Sequence, residues 1–118
     1  MDADNFQLDD LVYDKYHKRC DRITEMRFDS LRIENRFGVL SWFDVEPILL
    51  TVDILKKNGF ECIKSKEGIE PRRKDFRMDN CWYGDGFRWN GIAVVYVHQL
   101  QHILKMCGLK DLSDNFKI

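Results

Sequence analysis

The sequence predicts an α+β fold: a small antiparallel, SH3-like sheet in the N-terminal half, a short helix, a β-meander, and a C-terminal helix packed on the sheet. Three observations carry that prediction. The stretch "LVYDKYHKRCDRITEMRFDSLRIENRFGVLSWFDV" breaks into short apolar segments separated by charged and turn-forming residues. "TVDILKKNGF" contains a short helix with start and stop signals both written in. "VHQLQHILKMCGL" ends on the same grammar as that helix: Ile-Leu-Lys, two residues, Gly, then a large apolar residue.

Along the chain, Leu11–Tyr13 is a short apolar unit closed by the charged stretch Asp14–Arg19. In "DRITEMRF", Met26 and Phe28 alternate while Ile23 is one residue out of phase, which predicts a bulge or bend. Asp29-Ser30 is a turn before "LRIE", where Leu31 and Ile33 alternate with Arg32 and Glu34. "VLSWF" reads as a further strand. Pro47 keeps Glu46 out of helical geometry. Thr51 is the N-cap of a helix at 52–58, with Asp53 at its positive end and Lys56 and Lys57 at its negative end. Leu50 and Leu55 form a hydrophobic staple, and Gly59 supplies the left-handed residue after which Phe60 folds back on Leu55.

"FECIK" reads as a strand with Phe60 and Cys62 on one face. "SKEGIEPRRKD", which contains Gly68 and Pro71, reads as an exposed loop. The meander is expected at about 76–83, 87–89 and 92–95, with a turn at Gly84-Asp85-Gly86 and a two-residue hairpin at Asn90-Gly91. In the final helix, at about 97–107, Val97, Leu100, Ile103, Leu104 and Cys107 fall within an arc of about 120° and face the core. His98 and His102 project from the other side.

The 118 residues fit one domain spanning 1–118, with the first ten or so and the last eight or so loosely held. A net charge of -1 creates no global field toward nucleic acid or anionic lipid. Apolar runs such as Ile92–Val97 are too short to span a bilayer, so no membrane partner is expected. The first residues lack a basic stretch followed by an apolar one, which points to a cytoplasmic protein with reduced thiols. Cysteines stand at 20, 62, 81 and 107 with no C-x-x-C pair, so no zinc site is expected.

Three chemistries compete. The segment "EPRRKDFRMDNCWYGDGFRW" offers Arg72, Arg73, Lys74, Arg77 and Arg88 to phosphates and Trp82, Tyr83 and Trp89 to bases, as a single-strand nucleic-acid binder would. The same side chains are the candidate contacts of a protein-binding module, because exposed aromatics favour interfaces. Trp42-Phe43, Trp82-Tyr83 and Phe87/Trp89 place large rings on opposite faces of short strands, so some rings must face outward. His98 and His102 have metal-ligand spacing, but "HQLQH" lacks the glutamate of a zinc protease, and Lys105 adds a cation beside them. They are weak metal candidates, read instead as histidines that bond a loop or water, with Gln99 and Gln101 bonding a loop backbone. Cys81 or Cys107 with His98 or His102 could make a thiol–imidazole pair, but Cys107 reads as a core residue. No catalytic residue, metal or cofactor is assigned, and the protein is read as not an enzyme.

"DVEPILLTVDILKKNGF" followed by "YVHQLQHILKMCG" resembles an uncharacterised family of small proteins from Bacteroides-group bacteria, their phages and mobile elements. The matching positions are Pro47, Leu50, Thr51, Asn58, Gly59 and Phe60, then Val97, His98, Gln99, Leu100, Gln101 and Gly108. The resemblance implies a phage or mobile-element setting and no particular reaction. The expected function is therefore a cytoplasmic interaction module that binds protein. The alternatives are a single-stranded nucleic-acid-binding domain built on residues 72–89, and a small enzyme or metal-binding protein.

Overall fold

The computed structural model describes residues 6–34, 38–66, 68–80 and 86–118. The fold is α+β, and the chain forms two compact units, Met1–Ile48 and Leu49–Ile118. Each is built from local signals that the backbone obeys closely.

The first unit is an antiparallel meander: β1 (Leu11–Asp14), β2 (Arg19–Met26), β3 (Ser30–Ile33), β4 (Leu40–Ser41), a 3-10 turn (Trp42–Asp44) and β5 (Val45–Glu46). The sheet order is β4-β3-β2-β1-β5, so the last strand returns to pair with the first. Phe6, Val12, Ile23, Leu31, Ile33 and Val45 form its core. The phase slip at Ile23 is a bulge. Ile23 lies opposite Ile33 but Glu25 lies opposite Arg32, so one extra residue is accommodated on β2.

Two expectations for this unit are corrected. Phe28 is not a strand residue: it sits in the turn closed by the Arg27 N–H on the Ser30 carbonyl at 2.8 Å, and is fully exposed. "VLSWF" is a strand only at Leu40–Ser41. Ser41 then caps the 3-10 turn, its Oγ accepting from the Phe43 N–H at 3.2 Å while Asp44 Oδ2 accepts from the Ser41 N–H at 3.0 Å.

The second unit contains α1 (Val52–Lys57), β6 (Glu61–Ser65), β7 (Gly68–Arg73), β8 (Phe76–Arg77), β9 (Asp79–Asn80), β10 (Phe87–Trp89), β11 (Ile92–Val94), α2 (Val97–Met106) and α3 (Lys110–Asp114). It holds two three-stranded sheets, β6-β7-β8 and β11-β10-β9. Thr51 Oγ1 accepts from the Ile54 N–H at 3.2 Å, as the N-cap reading requires. Both helix stops are Schellman ends. Phe60 N–H bonds the Leu55 carbonyl at 3.1 Å past Gly59 (φ 82°), and Leu109 N–H bonds the Leu104 carbonyl at 2.8 Å past Gly108 (φ 77°). Asn90 and Gly91 both have positive φ, 47° and 81°, which is the type I′ turn that joins β10 to β11.

The segment read as an exposed loop is instead β7, the central strand of its sheet, with Pro71 buried opposite Cys62. Gly68 and Pro71 are breakers by local rules, yet proline is tolerated where its missing N–H is not needed. The Pro71 carbonyl accepts from the Met78 N–H at 2.9 Å. Main-chain N and O of one strand residue point the same way, so the absent donor also faces Met78 and not β6. The single strand expected at 76–83 is split. The chain leaves one sheet after Arg77 and joins the other at Asp79, pivoting on the buried Met78. Positions 81–83 and the Gly84-Asp85 part of the expected turn lie outside the described residues.

In α2, Val97, Leu100, Ile103 and Leu104 are buried, as the periodicity predicts, but so are His98 and Gln101. The covered face is wider than one stripe because both α3 and β11 pack on α2. Cys107, expected in the core, is exposed at the helix end. The C-terminal residues expected to be loose are tied into the unit: Ser113 and Phe116 are buried, and the Asn58 side chain bonds the Lys117 main chain at both its N–H and its carbonyl, each at 2.8 Å. Among the described residues no helix is long and apolar enough to cross a membrane.

Candidate binding surface

The basic segment at 72–77 is largely committed to internal contacts. Glu70 and Arg72 are two apart on β7 and so share a face. Arg77 lies opposite Arg72 on β8. Glu70 Oε1 meets Arg72 Nη2 at 2.9 Å and Arg77 Nη1 at 3.6 Å. Arg73 Nε donates to the Asn58 carbonyl at 3.0 Å, satisfying an acceptor left over at the end of α1. Lys74 is exposed in the left-handed turn between β7 and β8, with φ 53°. Arg88 and Trp89 are half-buried in β10. Trp89 stacks on Phe76 with centroids 6.3 Å apart and planes at 14°, and Phe76 meets Phe60 edge-on at 6.1 Å. Trp82 and Tyr83 lie outside the described residues, as does Cys81. The sequence signal for this pairing was Glu70 itself, in phase with Arg72.

The histidines of α2 are packed side chains. His98 is 4% exposed, not on the rim, and is stacked on Tyr96 with centroids 5.9 Å apart and planes at 14°. His102 meets it edge-on at 5.7 Å. The glutamines bond backbone, as expected. Gln99 Oε1 accepts from the N–H groups of Val95 at 2.8 Å and Tyr96 at 3.0 Å, and Gln101 Nε2 donates to the Ser113 carbonyl at 3.3 Å. Among the described residues no group of three or more His, Cys, Asp or Glu side chains is placed to hold a metal ion. Burial pushes the Cys20 thiol up, with the Asp21 charge adding to it. Burial also raises the Cys62 thiol, against a lowering influence from Lys56. Both are therefore poorer thiolates than a free cysteine.

A different surface emerges in the first unit. Tyr16 is 75% exposed, Phe28 103% and Phe43 89%. The backbone places them around one feature, the 3-10 turn. The β1–β5 ladder pairs Tyr13 with Glu46 and Asp14 with Val45, and it continues through the Lys15 N–H on the Asp44 carbonyl at 2.8 Å. That bond brings the turn that carries Tyr16 to the end of the 3-10 turn. The β3–β4 ladder pairs Leu31 with Leu40 and Ser30 with Ser41, which brings the turn that carries Phe28 to the start of the 3-10 turn. Trp42 anchors the arrangement, its Nε1 donating to the Arg27 carbonyl at 2.9 Å and its ring stacking on buried Phe6 at 6.2 Å. Of two consecutive aromatics, Trp42 turns inward and Phe43 outward.

The turn that carries Tyr16 is held by Asp14. This carboxylate is 0% exposed, and it accepts from the N–H groups of Tyr16 at 2.9 Å and His17 at 3.1 Å and pairs with His17 Nδ1. Burial raises the Asp14 pKa, but the His17 N–H, the His17 ring and its charge, and the Tyr16 N–H together lower it further, so the carboxyl titrates below its ordinary range. The Tyr16 ring meets the His17 ring edge-on at 4.9 Å. No protein-family model, no curated protein and no solved structure matches this chain.

Proposed function

We propose that the protein is a binding module whose first unit docks a segment of a partner protein on Tyr16, Phe28 and Phe43. The observation that carries this reading is the exposure of three large rings, one on the 3-10 turn and one on each of the two turns bonded to its ends. Single exposed apolar residues are ordinary, but a group of them is a hydration penalty that an interface removes. Aromatics also supply much contact area for little lost rotamer entropy. The sheet order β4-β3-β2-β1-β5, with a 3-10 turn before the returning strand, supports an SH3-like description of this unit. The motif resemblance supports a phage or mobile-element setting. Single-stranded nucleic acid on residues 72–89 gains no specific support, because Arg72, Arg73 and Arg77 are engaged within the unit.

The test is chemical cross-linking in nuclease-treated cell lysate, with the intact protein and two sets of variants. A protein partner should be captured by the native chain and by Trp89→Ala, and lost with Tyr16→Ser plus Phe43→Ser in protein whose circular dichroism is unchanged. Equal capture by the Tyr16/Phe43 variant, or loss of all binding on nuclease treatment, would overturn the reading.

A further inference from the structure

The surface around Tyr16 is more cationic than the near-neutral composition suggests. The carboxylates that precede Tyr16 and follow Phe43 are turned inward onto backbone: Asp14 onto the Tyr16 and His17 N–H groups, and Asp44 onto the Ser41 N–H. Lys15, Lys18 and Arg19 flank Tyr16 and are exposed, and among the described residues none of the three has an ion-pair partner. The opposite end differs. Arg27, next to Phe28, shares Glu25 with Arg32, at 3.3 and 2.8 Å, and Asp29 is exposed beside it, so two cations face two carboxylates there. The surface is therefore cationic at Tyr16 and neutral at Phe28, with the 3-10 turn that carries Phe43 between the two turns.

We infer that the segment bound on these rings is an extended acidic-apolar peptide, with Asp or Glu side chains against Lys15, Lys18 and Arg19 and large apolar side chains over Phe43 and Phe28. This rests on the docking reading above and adds the partner's chemistry. Opposite charges across an exposed rim steer encounter and fix orientation more than they add affinity. The asymmetry also disfavours a single strand of nucleic acid. Its charge repeats at every nucleotide, so a strand following all three rings carries phosphates past Asp29, where the two arginines already face Glu25.

Fluorescence anisotropy tests this with two labelled synthetic peptides, three glutamates followed by three large apolar residues, and the same peptide with glutamines for glutamates. Oligothymidylate is the third probe. The glutamate peptide should bind about tenfold more tightly than the glutamine peptide at low salt. That preference should vanish in Lys15→Gln/Lys18→Gln/Arg19→Gln, which leaves the rings in place. Equal affinity for the two peptides overturns the acidic preference, and if Phe43→Ser abolishes both, the docking reading stands without it. Tighter, steeply salt-dependent binding of oligothymidylate makes the surface a nucleic-acid site and overturns the inference. Failure of both peptides to bind at millimolar concentration also overturns it, and the cross-linking result then decides the docking reading independently.

Discussion

Replacing Asn58 with alanine should destabilise the second unit far more than an ordinary helix-end substitution. Asn58 is the C-cap of α1, and its side chain is buried. Its Nδ2 donates to the carbonyls of Ile54 and Lys117, both at 2.8 Å, and its Oδ1 accepts from the Lys117 N–H at 2.8 Å. One amide thus ties residues separated by 59 positions. Each such bond contributes about 1 kcal/mol net, and leaving a partly buried partner unsatisfied costs about 1–3 kcal/mol. Since the Lys117 groups are only part-buried and can regain water, the loss should be about 2–3 kcal/mol. Asn58→Asp should be at least as damaging at neutral pH, because it presents an oxygen where two carbonyls need a donor. Urea denaturation measures the loss. Amide exchange at Lys117 gives a local readout, since its protection depends on Asn58 Oδ1. A loss below about 1 kcal/mol with unchanged Lys117 exchange would refute the argument that this side chain holds the C-terminal residues.

Leu104→Ala should cost about 2–5 kcal/mol in urea denaturation, whereas Ile92→Ala, on an exposed strand position, should stay within about 0.5 kcal/mol. Gly86→Ala should lower the melting temperature more than Gly91→Ala. Both have positive φ, but a Cβ at Gly86 meets the Val94 carbonyl oxygen at 2.8 Å, while none lies within 4 Å at Gly91. Asp14 has a folded pKa below its ordinary value of 3.8, so its contribution to stability is complete above that value and lost as pH falls through the depressed one. A stability–pH profile should therefore flatten at its acid end in Asp14→Asn, and an unchanged profile would refute the assignment. Elemental analysis should find no stoichiometric zinc, nickel or iron. His102→Ala should leave the fold intact, and His98→Ala, which empties a buried stack, should cost about 1–2 kcal/mol in the same denaturation assay.

What the sequence by itself determined are the features set by a few consecutive residues. The Thr51 cap, the Gly59 and Gly108 helix stops, the Asn90-Gly91 hairpin and the bulge after Ile23 are all consequences of local φ/ψ preference and of side-chain phase. The stripe of Val97, Leu100, Ile103 and Leu104 was legible for the same reason, since periodicity marks the face a helix must bury. Tertiary structure alone decided how far that face extends: α3 and β11 both cover α2, which takes His98 and Gln101 inside and leaves Cys107 at the exposed end. It also decided that Gly68–Arg73 is a central strand, because whether proline breaks a strand depends on which neighbour its missing N–H would have met. The binding surface was least legible. Glu70 bridges Arg72 along β7 and Arg77 across to β8, and the turns that carry Tyr16 and Phe28 reach the one that carries Phe43 through ladders that join positions up to 33 residues apart. Charge and aromatic content are properties of composition, but which charges cancel and which rings share a surface depend on strand register, and register is a relation between distant segments.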